Sequence, residues 1–364
     1  MKKQFVKILS LSALLVSTSL IFTSCDKDDD DGDDKPVNSV KRVYILNEGS
    51  WGGNNSTLDV YYPNGESDYQ SKIFAAANGK GLGDTGEDLI AYGNRLYVSV
   101  WGSNYLAKLD QNGKIVEQYS FTETDGQPRY LVAKDGFIYV STYGGKVMKF
   151  DTTAIAASVG AVEVGPHPEE ICISGNTLYA VIAGDYTVAY DSTLAVVDLA
   201  AFSLKDKFTV AIDPTNVLSV GDKLCVIHYN TETWAQEIVE VNPSTKESKV
   251  LCPGSKMATD GELLYYVNST TNWTTKETTT FILKKDIFNL NTKADSEFLD
   301  LTETPEIKTA TVYLFEIDPD NGDFYVGTTD SKTPGTIYRF DKTGKFITKF
   351  ETSGTNPSHA AFVK

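Results

Sequence analysis

One short pattern recurs seven times along the chain and constrains its fold more than any other feature. It appears as RVYILNEG (42–49), RLYVSVWG (95–102), FIYVSTYG (137–144), TLYAVIAG (177–184), KLCVIHYN (223–230), ELLYYVNS (262–269) and DFYVGTTD (323–330). Successive copies start 53, 42, 40, 46, 39 and 61 residues apart. Their β-branched and aromatic residues suit a pleated, half-buried surface. The segments before them, AYGNR, AKDGF, ISGNT, SVGDK, ATDGE and PDNGD, each pair Gly with Asn or Asp, as a tight hairpin requires. Later turns such as LDQNGK and FDKTGK join a third strand to a fourth. Units of about forty residues, four strands each and almost no helical periodicity, predict an all-β, seven-bladed β-propeller with four-stranded antiparallel blades.

The two ends sharpen that expectation against a sandwich or a solenoid. PRYLVAK, PEEICIS and PTNVLSV read as innermost strands, each followed by a turn and one of the repeated strands. The chain finishes on NPSHAAFVK, an innermost strand with nothing after it, whereas RVYILNEG is a second strand with nothing strand-like before it. Pairing the C-terminal strand with the N-terminal blade would close the ring and leave no open sheet edge.

Ahead of the repeats, MKKQFVK gives a basic start, ILSLSALLVSTSLIF an apolar run, and FTSC small residues before Cys25. This is the layout of a secretory signal, and it resembles a bacterial lipoprotein signal that leaves a lipidated cysteine as the new first residue. Residues 1–24 are therefore expected to be signal peptide. A simple secreted protein, cut near Ser24 with Cys25 incidental, is the other reading. Residues 25–39 follow as an acidic tether, DKDDDDGDDKP being too charged to bury. The tether resembles the export signal of surface lipoproteins in Bacteroidetes-type bacteria, which implies an outer-membrane, surface-exposed and lipid-anchored protein; a mere spacer is the other reading. The propeller is then residues 40–364.

The formal charge is −16, and losing Lys2, Lys3 and Lys7 with the signal takes the mature chain to −19. Such acidity argues against nucleic acid and against anionic headgroups, and favours a neutral or cationic ligand. Cys172 and Cys225 lie in strand-like runs and read as small buried hydrophobes; with Cys252 they permit at most one disulfide.

Catalytic patterns are scarce. His167, His228 and His359 are isolated, and no G-x-S-x-G elbow, P-loop or HExxH occurs. Glu169 and Glu170 are adjacent on a strand and so point to opposite faces. EIDPDNGDFY (316–325) offers Asp318, Asp320 and Asp323 but fails the EF-hand spacing and stands where each repeat has its turn. No catalytic residue, metal or catalytic cofactor is expected. A propeller lyase or hydrolase using His167 or Glu169 is the enzymic alternative.

The tryptophans are more informative. In a propeller the loops joining second and third strands share a face with those linking successive blades. All four tryptophans, Trp51, Trp101, Trp234 and Trp273, fall in or beside the former loops. Tyr105, Tyr143, Tyr186 and Tyr229 hold comparable positions, with Glu48 and Asn54 among their polar companions. Arg129 and His167 sit near the starts of inner strands, close to the central channel. Clustered rings of this kind mark binding surfaces, although propeller aromatics also pack between blades. These residues are expected to form a ligand-binding rim.

The repeat LYVSVWGSNYLAKLDQNGKIV resembles the YncE-like group of seven-bladed propellers. ILNEGSWGGNNSTLDVYYP, behind a lipoprotein signal and an acidic tether, is similar to surface lipoproteins of gut Bacteroidetes that capture cobalamin (vitamin B12). That resemblance implies a corrinoid held on the loop face as ligand and a TonB-dependent outer-membrane transporter as protein partner. It implies attachment to the membrane through the lipid anchor alone. A surface glycan-binding module is the alternative, because sugars also stack on tryptophan, and fold alone does not choose.

Overall fold

The computed structural model describes residues 41–64, 68–233, 235–272, 274–275, 277–290 and 295–364. The expected signal peptide, Cys25, the tether, Trp234 and Trp273 lie outside the described residues.

Seven four-stranded antiparallel sheets follow one another around a ring. Their inner strands are Pro357–Val363 in blade 1, Gly86–Tyr92 in blade 2, Pro128–Lys134 in blade 3 and Pro168–Ser174 in blade 4. Blades 5, 6 and 7 contribute Pro214–Val220, Lys256–Thr259 and Thr311–Ile317. The repeated sequence pattern forms the second strand of each blade, from Arg42–Asn47 in blade 1 to Phe324–Thr329 in blade 7. The turns entering those strands use left-handed backbone at Gly93, Gly136, Gly175, Gly221, Gly261 and Gly322, where a side chain would be strained.

Closure occurs in blade 1. Pro357–Val363 pairs antiparallel with Arg42–Asn47, in a register that sets Val363 opposite Arg42 and Ala360 opposite Ile45. Side chains add to this seam: Ser353 Oγ donates to Asp59 Oδ1 at 2.5 Å, and Asn356 Nδ2 donates to the Gly49 carbonyl at 2.9 Å. The acidic turn 316–325 also serves the seam. Asp320 meets Lys364 at 2.7 Å and Asp318 pairs with Lys41, while Asp323 accepts within blade 7 from Arg339, whose Nη1 donates to Tyr61 Oη of blade 1 at 3.4 Å.

The core lies between blades rather than inside any one of them. Seven apolar layers form, each joining two neighbours: Tyr44, Leu46, Leu89 and Leu96 between blades 1 and 2, for example, and Val43, Ile45, Leu314 and Tyr325 between blades 7 and 1. Cys225 and Cys252 belong to the layer between blades 5 and 6. Cys172, Cys225 and Cys252 are all free thiols. Burial pushes Cys225 up to about 12 and Cys252 to about 11, so both behave as hydrophobes.

Two departures from the regular repeat explain the longest spacings. Blade 1 ends in a two-residue strand, Tyr69–Gln70, followed by a short helix, Ile73–Asn78, whose Ile73 and Phe74 plug the layer against blade 2. Blade 6 also ends in a two-residue strand, Ser296–Glu297, and a 3-10 turn at Pro305–Thr309 inserts Ile307 into the layer against blade 7.

Candidate functional site

The inner strands are sheet edges that face the central channel, so their first residues decide what the channel presents. In blades 1, 2, 3, 4, 5 and 7 the pairing register shifts near the start of the inner strand, at Pro357/His359, Gly86/Asp88, Pro128/Leu131, Pro168/Ile171, Pro214/Asn216 and Val312/Leu314. Such bulges re-aim side chains. Here they turn adjacent polar residues towards the channel and its mouth.

Three carboxylates in this ring have structural work. Asp88 accepts from Leu131 N at 2.7 Å, Glu170 from Val217 N at 3.0 Å and Glu316 from Ala360 N at 3.1 Å. Each thereby satisfies a backbone N–H of the next blade's inner strand, which has no sheet partner on that side. His359 Nδ1 lies 3.4 Å from Asp88 and 3.2 Å from Glu316, tying blade 1 to blades 2 and 7. Burial favours the neutral ring, but the two carboxylates outweigh it and raise the His359 pKa to about 9.

A second group sits higher, on the loop face. Arg129 meets Glu87 at 2.6 Å and Glu169 at 2.5 Å, with its Nε a further 3.0 Å from Glu169. Burial works against its charge, yet Glu87 and Glu169 hold the guanidinium pKa up. One cation between two acids leaves negative charge over: burial and the neighbouring Glu169 raise Glu87 to about 7 in spite of Arg129. Glu169 also accepts from Tyr143 Oη at 2.6 Å, the Tyr143 ring stacks on His167 at 4.5 Å, and Trp101 packs edge-on against Tyr143 at 6.4 Å.

Two connected openings result. The channel is a cavity of about 400 Å³ to which all seven inner strands contribute, Asp88, Tyr130, Glu170, Asn216, Tyr313 and His359 among them. Its mouth on the loop face widens into a cavity of about 770 Å³ running from Arg129 in blade 3 to Tyr313 in blade 7. Tyr229, Thr233, Gln236, Asn268, Ser269 and Thr271 are typical of its walls. Lys256 and Asn216 line both openings.

The residues expected from sequence divide into four sets. Arg129 and Tyr229 line the mouth, and Glu48 reaches its edge by accepting a hydrogen bond from Tyr313. Tyr143 and His167 line a shallower cleft of about 390 Å³ beside it, with Trp101 against them. Trp51 and Tyr186 are 81 % and 75 % exposed, and neither they nor Asn54 line the mouth. Tyr105 must be withdrawn as a surface ring: it opens a third strand, points into the layer between blades 1 and 2, and gives its hydroxyl to the Leu82 carbonyl. The described rings therefore do not converge on one centre, and the mouth is built mainly of hydroxyl and amide groups.

Sequence reasoning missed Glu87, Lys256 and Tyr313. The signal was present: aligning the inner strands on their first residues sets GED, PRY, PEE, PTN and PSH in register. Blade 6 begins SKM and blade 7 TVY, without the Gly or Pro that marks the others.

The chain resembles several solved structures at low identity. A putative 6-phosphogluconolactonase from Bacteroides fragilis NCTC 9343 is 16 % identical with a TM-score of 0.62, over 91 % of this chain and 100 % of that one. Apo AztD from Citrobacter koseri is 11 % identical with a TM-score of 0.51, over 89 % of this chain and 98 % of that one. The computationally designed protein Ika8 is 12 % identical with a TM-score of 0.50, over 75 % and 88 %. Likeness at this level speaks for the propeller fold alone. No curated protein matches the chain. A model for a domain of unknown function, DUF5074, matches residues 41–362, and the chain belongs to that family.

Proposed function

We propose that the protein captures a bulky, uncharged organic ligand on its loop face, a corrinoid such as cobalamin, and passes it to a TonB-dependent outer-membrane transporter. The observation that carries this reading is the mouth cavity of about 770 Å³, walled by Thr, Ser, Asn and Gln side chains with Tyr229 and Tyr313. Hydroxyls and amides in a concave site offer both donors and acceptors, which suits a ligand edged with amides. The resemblance of the opening sequence to cobalamin-capturing lipoproteins supports the same choice, with Cys25 as the lipid-bearing residue that keeps the propeller at the outer surface.

A glycan is the second reading, favoured by the run Asn268, Ser269, Thr270 and Thr271 along one wall. An enzymic role has less support. Glu169 is engaged by Arg129 and Tyr143, and His167 is stacked on Tyr143, so neither group is set up as a proton shuttle. Turnover of a 6-phosphogluconolactone by the purified chain would reinstate it.

Calorimetry of the full chain with cyanocobalamin, against a panel of neutral oligosaccharides, tests the proposal. Saturable heat with cyanocobalamin is expected, weakened about tenfold or more in Tyr229→Ala. Heat from an oligosaccharide alone would transfer the site to glycans.

A further inference from the structure

Lys256 differs from every other charged group around the channel. It stands where the channel meets the mouth and lines both. Its side chain is half-buried at this junction, and that burial lowers its pKa. Among the described residues its ammonium has no hydrogen-bond acceptor and no ion pair; its sole close partner is the face of the Tyr313 ring, 4.9 Å away. Four carboxylates surround it electrostatically, from Glu170, Glu48, Glu316 and Glu87. Each is already committed: Glu170 to Val217 N, Glu48 to Tyr313, Glu316 to Ala360 N and His359, and Glu87 to Arg129.

An ammonium at this junction with no acceptor among the described residues is free to donate to whatever enters the mouth. The surroundings choose what that is. A ligand carboxylate or phosphate would meet the ammonium but also four carboxylates from blades 1, 2, 4 and 7. Repulsion at short range in a partly buried site is strong. An uncharged oxygen avoids that repulsion and still accepts a charge-assisted hydrogen bond.

We propose that Lys256 is the anchor at the floor of the mouth for an uncharged oxygen acceptor of the ligand, an amide carbonyl or a hydroxyl, and that the surrounding carboxylates reject ligands presenting a free carboxylate or phosphate there. This deepens the capture reading by naming the ligand chemistry at one position, and it rests on that reading only for the identity of the whole ligand. Lys256 acts as a specificity residue through its donors and its acidic frame together.

The test uses the full chain with its lysines reductively methylated with ¹³C, a change that keeps the charge, and the Lys256 resonance identified by its loss in Lys256→Arg. Acetamide and acetate serve as matched probes of equal size. Acetamide is expected to shift the Lys256 resonance saturably, and acetate and inorganic phosphate to leave it in place. A shift with acetate or phosphate, or none with acetamide, overturns the proposal. Calorimetry then compares cyanocobalamin with its monocarboxylate, in which one side-chain amide is hydrolysed. Lys256→Met should weaken cyanocobalamin about tenfold or more while leaving the melting temperature within a few degrees of wild type. Unchanged affinity for cyanocobalamin in Lys256→Met also overturns it. Absence of cyanocobalamin binding to wild type, with the acetamide shift intact, counts against the corrinoid alone.

Discussion

Arg129 is one cation held between two buried acids, and its removal strands both. Arg129→Met should destabilise the fold by about 3–5 kcal/mol, read as a shift in the urea midpoint. Arg129→Lys keeps the charge but loses the planar fork that meets Glu169 twice, so it should fall between the two. His359 sets a pH dependence of known sign. Its folded pKa is about 9 against an ordinary 6.5, so its contribution is fully present below pH 6.5 and disappears as pH rises through 9. Melting temperature should therefore decline between pH 7 and 9 in wild type, and decline less in His359→Gln. Glu87 and Glu170 act in a lower window. Burial raises both to about 7, so between pH 4.5 and 7 the native state holds protons that the unfolded chain releases. Their contribution to stability grows as pH falls through that range.

At the scale of strands and turns, the inner strands were the most legible elements, and for a physical reason. Pro lacks an N–H, so it tolerates the first position of a strand. The segments 128–134, 168–174 and 214–220 follow that mark residue for residue. The side chains those strands present were less legible, because a bulge of one residue moves a group from one face to the other. Tyr105 shows the same limit: sequence placed it beside a loop, while the pleat turns its ring inward. The loops of blade 3 hold a tighter constraint. Gly126 has φ +75, and a Cβ there would land on the backbone nitrogen of Gly144. Gly126→Ala should cost about 3 kcal/mol. Gly93→Ala, with φ +58 and open space around it, should cost about 1 kcal/mol. Parallel denaturation curves would separate collision from backbone strain.

For the whole molecule, the count of blades and the closing strand could be read from the repeat because each unit must bury its faces on two neighbours. The site could not be read in the same way. Its mouth draws on residues from five blades and its channel on all seven, brought together only when the ring forms, and Lys256 has no local motif to announce it. Closure itself is open to test. Deleting residues 357–364 removes the inner strand of blade 1 and uncovers both of the layers that this blade shares with its neighbours. Loss of a single cooperative melting transition is expected, with aggregation visible on size-exclusion chromatography. Joining the two ends by a short linker and opening the chain at the turn around Gly221 should instead preserve the transition, since Arg42 and Val363 are already neighbours.

The same seam has a consequence in time. A chain made from its N-terminus produces Arg42–Asn47 early, yet that strand waits for Pro357–Val363 to be synthesised and released. Until then six blades can assemble while the first keeps an unpaired edge towards whatever passes. Closure of the ring therefore waits on the strand that lies furthest from its partner in sequence.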